Sequence, residues 1–276
     1  MPEEAMPIAE EIRKAVSADE IDLPTLPEVA LRIRNEAESE TATASSLALV
    51  ISDDPAITAQ VVRIANSPMF RATRAIDDLQ SAVSRLGVQY CANIVTGLAM
   101  QQMFQATSEL VDNKLREVWR TATETAAWSS ILTKRYTRLR PDQSTLAGLT
   151  HSIGVLPILS WVEEHDVIRD SMTLDRLIEQ AHPGIGSMIL RSWEFSHDLV
   201  AVPEQHQRLD RESQAVDYAD VVGAARMLRN AESNSAFASF GWSQTPTFDR
   251  LGLTDNLDED VQSEIKAEVD EVSGAF

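Results

Sequence analysis

Apolar residues recur at helical spacing along most of the chain, and the alternating patterns that mark strands are nearly absent. Ile8, Ile12 and Val16 form one stripe at i, i+4 and i+8. Pro27 suits the first turn of a helix, where a missing N–H costs nothing, and Val29, Ala30, Ile33 and Ala37 follow at helical spacing. Asp53 or Asp54 caps a helix that opens at Pro55 and buries Ile57, Val61, Ile64 and Ala65. Asn66-Ser67-Pro68 reads as a corner between two helices. Asn66, tolerant of the left-handed conformation, ends one; Ser67 caps the next and Pro68 starts it. A helix from Leu79 to Leu86 stops at Gly87, and a long apolar helix runs from Val88 to Phe104.

The polar run QATSELVDNK, residues 105 to 114, marks a boundary between lobes. Beyond it the spacing predicts a helix from Glu117 to about Tyr136, one opened by Pro141 and Asp142 that carries His151, one starting near Pro183, and one from Val216 to Asn230. The expected fold class is therefore all-α and two-lobed. Residues 1–20 form a helix leading into the fold, residues 21–108 an N-terminal lobe, residues 109–235 a second lobe, and residues 236–276 an acidic tail. In that tail Leu257, Val261, Ile265 and Val269 recur every four residues, a thin stripe that predicts a weakly docked helix. Trp119, Trp128, Trp161 and Trp193 read as core residues, whereas Trp242 packs the tail back or meets a partner.

Charge narrows the function. The chain carries 24 basic and 43 acidic side chains, a net charge of −19, which opposes both nucleic-acid backbones and anionic lipid. No nucleic-acid or membrane partner is expected, although Pro55 to Arg74 imitates a helix-turn-helix with Arg63, Arg71 and Arg74 near phosphates. The N-terminus lacks the basic start and apolar core of a signal peptide, so a cytoplasmic location is expected. The single cysteine, Cys91, excludes an intramolecular disulfide and reads as a buried, inert thiol on an apolar helix.

Several stretches together resemble the HDOD domains, a branch of the HD superfamily. They are LPTLPEVALRI (23–33), DDPAITAQVVRIANSPMF (53–70), IDDLQSAVSRLGVQ (76–89), LAGLTHSIGVLPIL (146–159) and HPGIGSMILRSWEF (182–195). The resemblance covers roughly residues 20 to 230 and implies a two-lobed helical HD-like fold. Catalytic relatives hold one or two metals with a helix histidine, an adjacent His-Asp pair and a later aspartate. Carried over, the first histidine falls at Thr121, the pair becomes His151-Ser152, and the later aspartate falls at Asp220. A serine hydroxyl is neutral and cannot bridge two ions as a carboxylate does. His182 and His206 remain as residual ligands, and three imidazoles are a known zinc set.

The resemblance thus implies a non-enzymatic regulatory module of bacterial signal transduction with a degenerate metal site and no cofactor. Its partner would be a protein such as a kinase, a receiver-domain protein or a cyclic-dinucleotide protein. Asn66, Ser67, Arg71 and Arg74 form a candidate interaction surface, although capping explains the first two. The competing reading is a metal-dependent phosphohydrolase with an altered ligand set.

Overall fold

A computed structural model describes residues 5–18, 20–70, 74–165, 168, 170–233, 245–253 and 259–274, and among them every regular element is helical. The first lobe comprises α2 (Glu28–Glu38), α3 (Ala44–Ile51), α4 (Pro55–Ala65), α5 (Leu79–Leu86) and α6 (Val88–Ala99). They close on a core that includes Ile33, Leu47, Ile51, Val61, Ile64, Val83 and Ile94. Local chemistry sets several of their ends. Asp54 caps α4 by accepting from the Ala56 and Ile57 amides at 2.9 and 3.1 Å, while Asp53 pairs with Arg32. Gly87, at φ 84°, adopts a conformation that β-carbon-bearing residues avoid, and so ends α5 and redirects the chain into α6.

The second lobe is organised by α7 (Glu109–Tyr136), which starts earlier than the hydrophobic pattern suggested. Ser108 accepts from the Val111 amide at 3.3 Å, so the polar stretch read as a boundary between lobes holds the start of α7. Around α7 lie α8 (Pro141–Thr150), α9 (Val155–His165), α10 (Ser171–Ser192), the short α11 (His197–Val200) and α12 (Val202–Gln205), and α13 (Tyr218–Ser233). The helix α1 (Ala5–Ser17) packs Ala9, Ile12 and Val16 into the core formed by α7, α9 and α10. Helix α10 does not begin near Pro183 but runs through it. The missing N–H removes one rung at the Glu179 carbonyl, yet Leu174, Leu177, Ile185 and Ile189, on both sides of the interruption, bury into one core that holds the helix together.

Polar contacts between the lobes include Lys134 Nζ donating to the Met69 carbonyl at 3.0 Å and the Tyr90 and Ser130 hydroxyls meeting at 3.3 Å. Asn93 Nδ2 donates to the buried Asp142 carboxylate at 2.7 Å, Trp193 Nε1 donates to the Pro24 carbonyl at 2.8 Å, and Arg34 Nη1 donates to the Trp193 carbonyl at 2.6 Å. The stretch Pro141–His165 is long and apolar enough to cross a membrane, an 18-residue window of it having mean hydropathy 1.4, but 94% of that window is buried inside the fold. Cys91 is buried too, and burial pushes its thiol up to about 12.

The corner after α4 differs from the expected one. Asn66 sits at φ −93° and ψ −3°, not in the left-handed region. Its side chain donates to the Ile76 carbonyl and accepts from the Ile76 amide, both at 2.8 Å, which ties the end of α4 to Ile76. Ser67 is buried without a hydrogen-bond partner for its hydroxyl among the described residues, and only a single 3-10 turn, Pro68–Phe70, follows it. Arg74 is exposed; Arg71 and Trp242 lie outside the described residues.

The C-terminal segment is also more than an acidic appendage. Helix α14 (Pro246–Leu251) buries Phe248 and Leu251, and α15 (Glu259–Ser273) buries Ile265, Val269 and Val272 against Trp128 and Ile131 of α7. Arg135 holds Glu264 and Glu268 at 3.1 and 2.8 Å. Local pairing and apolar burial thus offset the repulsion expected from net charge.

Ser67→Ala should leave stability nearly unchanged, because no bond is lost. Asn66→Ala should cost roughly 1–3 kcal/mol, since it leaves both Ile76 backbone groups without partners. Parallel urea titrations separate the two. Truncation after Leu253 should lower stability by several kcal/mol, given roughly 1.5–3 kcal/mol for each buried aliphatic side chain. A truncated protein with an unchanged melting curve would refute the docking of α15.

Candidate functional site

A cavity of about 200 Å³ opens where α7, the turn between α8 and α9, α10, the residue after α12, and α13 converge. Close backbone approaches assemble it. A β-carbon on Gly148 would lie 2.4 Å from the Ala126 Cα, so glycine lets α8 lie directly on α7. A β-carbon on Gly154 would lie 2.2 Å from the His182 carbonyl oxygen, so this turn presses against α10 beside that histidine. The turn carries His151 and Ser152, α10 brings His182, and the end of α12 brings His206.

All three imidazoles are buried and gathered. The His151 and His206 ring centres are 5.1 Å apart in an edge-to-face arrangement, and those of His182 and His206 are 5.9 Å apart. Their hydrogen bonds define the tautomers. His151 Nδ1 lies 2.7 Å from the Gly148 carbonyl and His206 Nδ1 lies 2.9 Å from the Val202 carbonyl. A carbonyl only accepts, so both rings carry the proton on Nδ1 and a lone pair on Nε2. The amide nitrogen of Gln207 lies 2.9 Å from His182 Nε2 and donates to it, which leaves the His182 proton on Nδ1. Among the described residues, the buried Ser152 Oγ, His182 Nδ1 and His206 Nε2 find no hydrogen-bond partner.

Burial, then the positive charge of Arg226, holds the His151 and His206 rings well below their ordinary pKa and pushes His182 down to about 3. Arg226 and Arg229, one turn apart on α13, line the cavity. Burial and then the neighbouring Arg229 push the Arg226 guanidinium down to about 10, so it stays charged at neutral pH. Lys114, also in the lining, pairs with Glu117 at 2.7 Å and with Asp175.

Of the residues singled out from sequence, Thr121, His151, Ser152, His182 and His206 meet at this cavity. Thr121 donates its hydroxyl to the Val118 carbonyl at 2.9 Å. Asp220 does not join them. It is fully buried on α13, where Arg250 grips both carboxylate oxygens at 2.6 and 3.0 Å, Arg211 approaches to 2.6 Å and Thr247 donates at 3.0 Å. Among the described residues no three His, Cys, Asp or Glu side chains form a metal-holding group. Sequence reasoning missed Arg226 and Arg229. The one signal for them was their spacing of three, amid the apolar positions of α13.

A two-lobed helical body with histidines gathered at the junction of two core helices places the fold among the HD-type helical folds. The HDOD domain model matches residues 23–209, and the chain belongs to the HDOD family. A structure from Shewanella amazonensis SB2B, presumed to be a metal-dependent phosphohydrolase, superposes with a TM-score of 0.86 at 27% identity over 98% of both chains. An HDOD domain protein of unknown function from Geobacter sulfurreducens gives 0.71 at 19% identity over 99% of both. A presumed signal transduction protein from Marinobacter aquaeolei VT8 gives 0.60 at 23% identity, over 92% of this chain and 59% of that one. In sequence, an uncharacterized protein of Treponema pallidum (strain Nichols) is 24% identical over 218 residues, which is 70% of this chain but 41% of that protein's length.

The neutral histidines make stability depend on pH. Their folded pKa values lie below the unfolded value of about 6.5, so below that pH the unfolded chain binds protons that the folded chain refuses. Stability is therefore complete above about pH 7 and falls as pH drops through 6.5. Three such groups would remove up to roughly 4 kcal/mol by pH 5.5, and replacing His182 by Gln should remove about a third of that dependence. Urea unfolding at pH 7.5 and 5.5 reads this directly. Equal stabilities at the two values would mean that the rings titrate normally.

Proposed function

We propose that the protein is a non-catalytic signalling module that acts by binding a protein partner, on an HD-type fold whose cavity no longer builds a catalytic metal centre. The observation that carries this reading is the donor set. Two imidazole lone pairs, on His151 and His206, are available; the third, on His182, is taken by Gln207. Ser152 occupies the position next to His151, and Asp220 is engaged by Arg211 and Arg250. Two neutral nitrogens without a carboxylate are a poor site for a divalent ion, and Arg226 adds a like charge beside them. HDOD membership and likeness to the Marinobacter protein support a signalling context. The partner is a kinase, a receiver-domain protein or a cyclic-dinucleotide protein, met through non-covalent contact that shifts the partner's populations. Of the candidate surface residues Arg74 is exposed, whereas Ser67 is buried and the Asn66 side chain is engaged by Ile76, so Arg74 remains the candidate among the described residues.

A metal-dependent phosphohydrolase with an altered ligand set is the second reading, favoured by the likeness to the presumed Shewanella phosphohydrolase. Elemental analysis of protein purified without chelator, followed by assay of bis(p-nitrophenyl) phosphate with added manganese, separates the two. The module reading expects substoichiometric metal and no turnover. A tightly held ion in every chain, with hydrolysis lost in His151→Ala, would sink it.

A further inference from the structure

We propose that the histidine cavity is a receptor for a small, proton-bearing phosphate-type anion, bound directly by the protein without a metal. This deepens the reading above and rests on the absence of a catalytic metal there. The first observation is Arg226. Among the described residues its guanidinium makes no hydrogen bond or ion pair, although it lines the cavity and its charge reaches all three imidazoles. The other cations at the cavity have partners: Lys114 is held by Glu117 and Asp175, and Arg229 lies near Glu124. Glu179 acts on Arg226 only through its charge, with no ion pair, so burial of this guanidinium stays costly and a bound anion would offset that cost.

The second observation is the set of unpartnered polar atoms. Among the described residues the Ser152 hydroxyl and the His182 Nδ1–H are buried donors without acceptors, and His206 Nε2 is a buried acceptor without a donor. One occupant satisfies all of them together with Arg226. It needs several acceptor oxygens for the serine, the imidazole N–H and the fork of the guanidinium, and one O–H to donate to His206 Nε2. Inorganic phosphate carries such a proton at neutral pH, a monoester carries it only in its monoanion, whose second pKa is about 6, and sulfate carries none. At about 200 Å³ the cavity admits a phosphate group with little attached, and is smaller than the roughly 300–1,000 Å³ of pockets that enclose drug-sized ligands. Glu117 and Asp175 also line it and disfavour a bulky or highly charged anion at the Lys114 end.

Chelator-treated protein in phosphate-free buffer should be titrated calorimetrically with inorganic phosphate, glycerol 3-phosphate and sodium sulfate. One phosphate should bind per chain without added metal, and sulfate should bind at least about tenfold more weakly because it leaves His206 Nε2 without a donor. Tighter binding of glycerol 3-phosphate than of inorganic phosphate identifies an ester as the occupant; the reverse identifies the free ion. Arg226→Met should weaken phosphate binding at least about tenfold, while Arg63→Gln, at an exposed position of α4, should leave it unchanged. Should Arg226→Met fail to fold, Ser152→Asp faces the anion with a carboxylate and should abolish binding. Absence of phosphate binding, retained affinity in Ser152→Asp, or equal affinity for sulfate would overturn the receptor and leave the module reading standing. Phosphate binding only after zinc or manganese is added would overturn both.

Discussion

The arrangement of the second lobe hangs on one buried carboxylate. Asp220 has no exposure, and two guanidinium groups, from Arg211 and Arg250, together with the Thr247 hydroxyl, converge on it. A carboxylate so placed is tolerable only while its partners stay, and breaking such a pair typically costs about 3–5 kcal/mol. The cluster ties α13 to the loop before it and to α14 after it, and so sets how α13 is rotated. Three residues on, a β-carbon at Gly223 would lie 2.7 Å from the His206 carbonyl oxygen, so the helix backbone abuts the end of α12. Three further on, Arg226 enters the cavity. An aspartate that the family pattern suggests as a ligand thus positions the cavity from behind, through the helix that bears it.

Specific polar contacts join the two lobes. Asp142, at the first turn of α8, accepts from Asn93 of α6 and from Arg140, while Trp193 at the end of α10 meets Pro24 and Arg34. Both α8 and α10 lead directly to the cavity histidines. Occupancy of the cavity and the relative placement of the lobes therefore share the same two helices, which is a physical route for coupling between them.

Much of the fold was legible because helix ends are written in local chemistry. Asp54-Pro55, Gly87 and Pro141 act through backbone geometry and one or two neighbouring amides, so no distant information is needed. Where a long-range contact decided the outcome, the pattern misled. Pro183 looked like a start, but the core on both sides of it carries α10 through. Asn66 looked like a left-handed stop, but its side chain reaches Ile76, ten residues away. The thin apolar stripe of α15 read as a weakly docked helix, yet Arg135 also lies beside two of its acids. The histidines and Ser152 were found because the resemblance pointed to them. Arg226 was not, since an arginine on an amphipathic helix reads as a solvent-facing residue until its neighbours are known.

Cys91 has a practical consequence. It is the chain's single cysteine, it is enclosed in the first lobe, and burial raises its thiol to about 12, so at neutral pH almost none of it is the nucleophilic thiolate. The native molecule therefore behaves toward maleimides and other electrophiles nearly as a cysteine-free background. A surface cysteine introduced in each lobe would be labelled selectively without first removing the native one. Spectroscopic rulers placed across the interlobe seam can then report its opening and closing in an otherwise unaltered core.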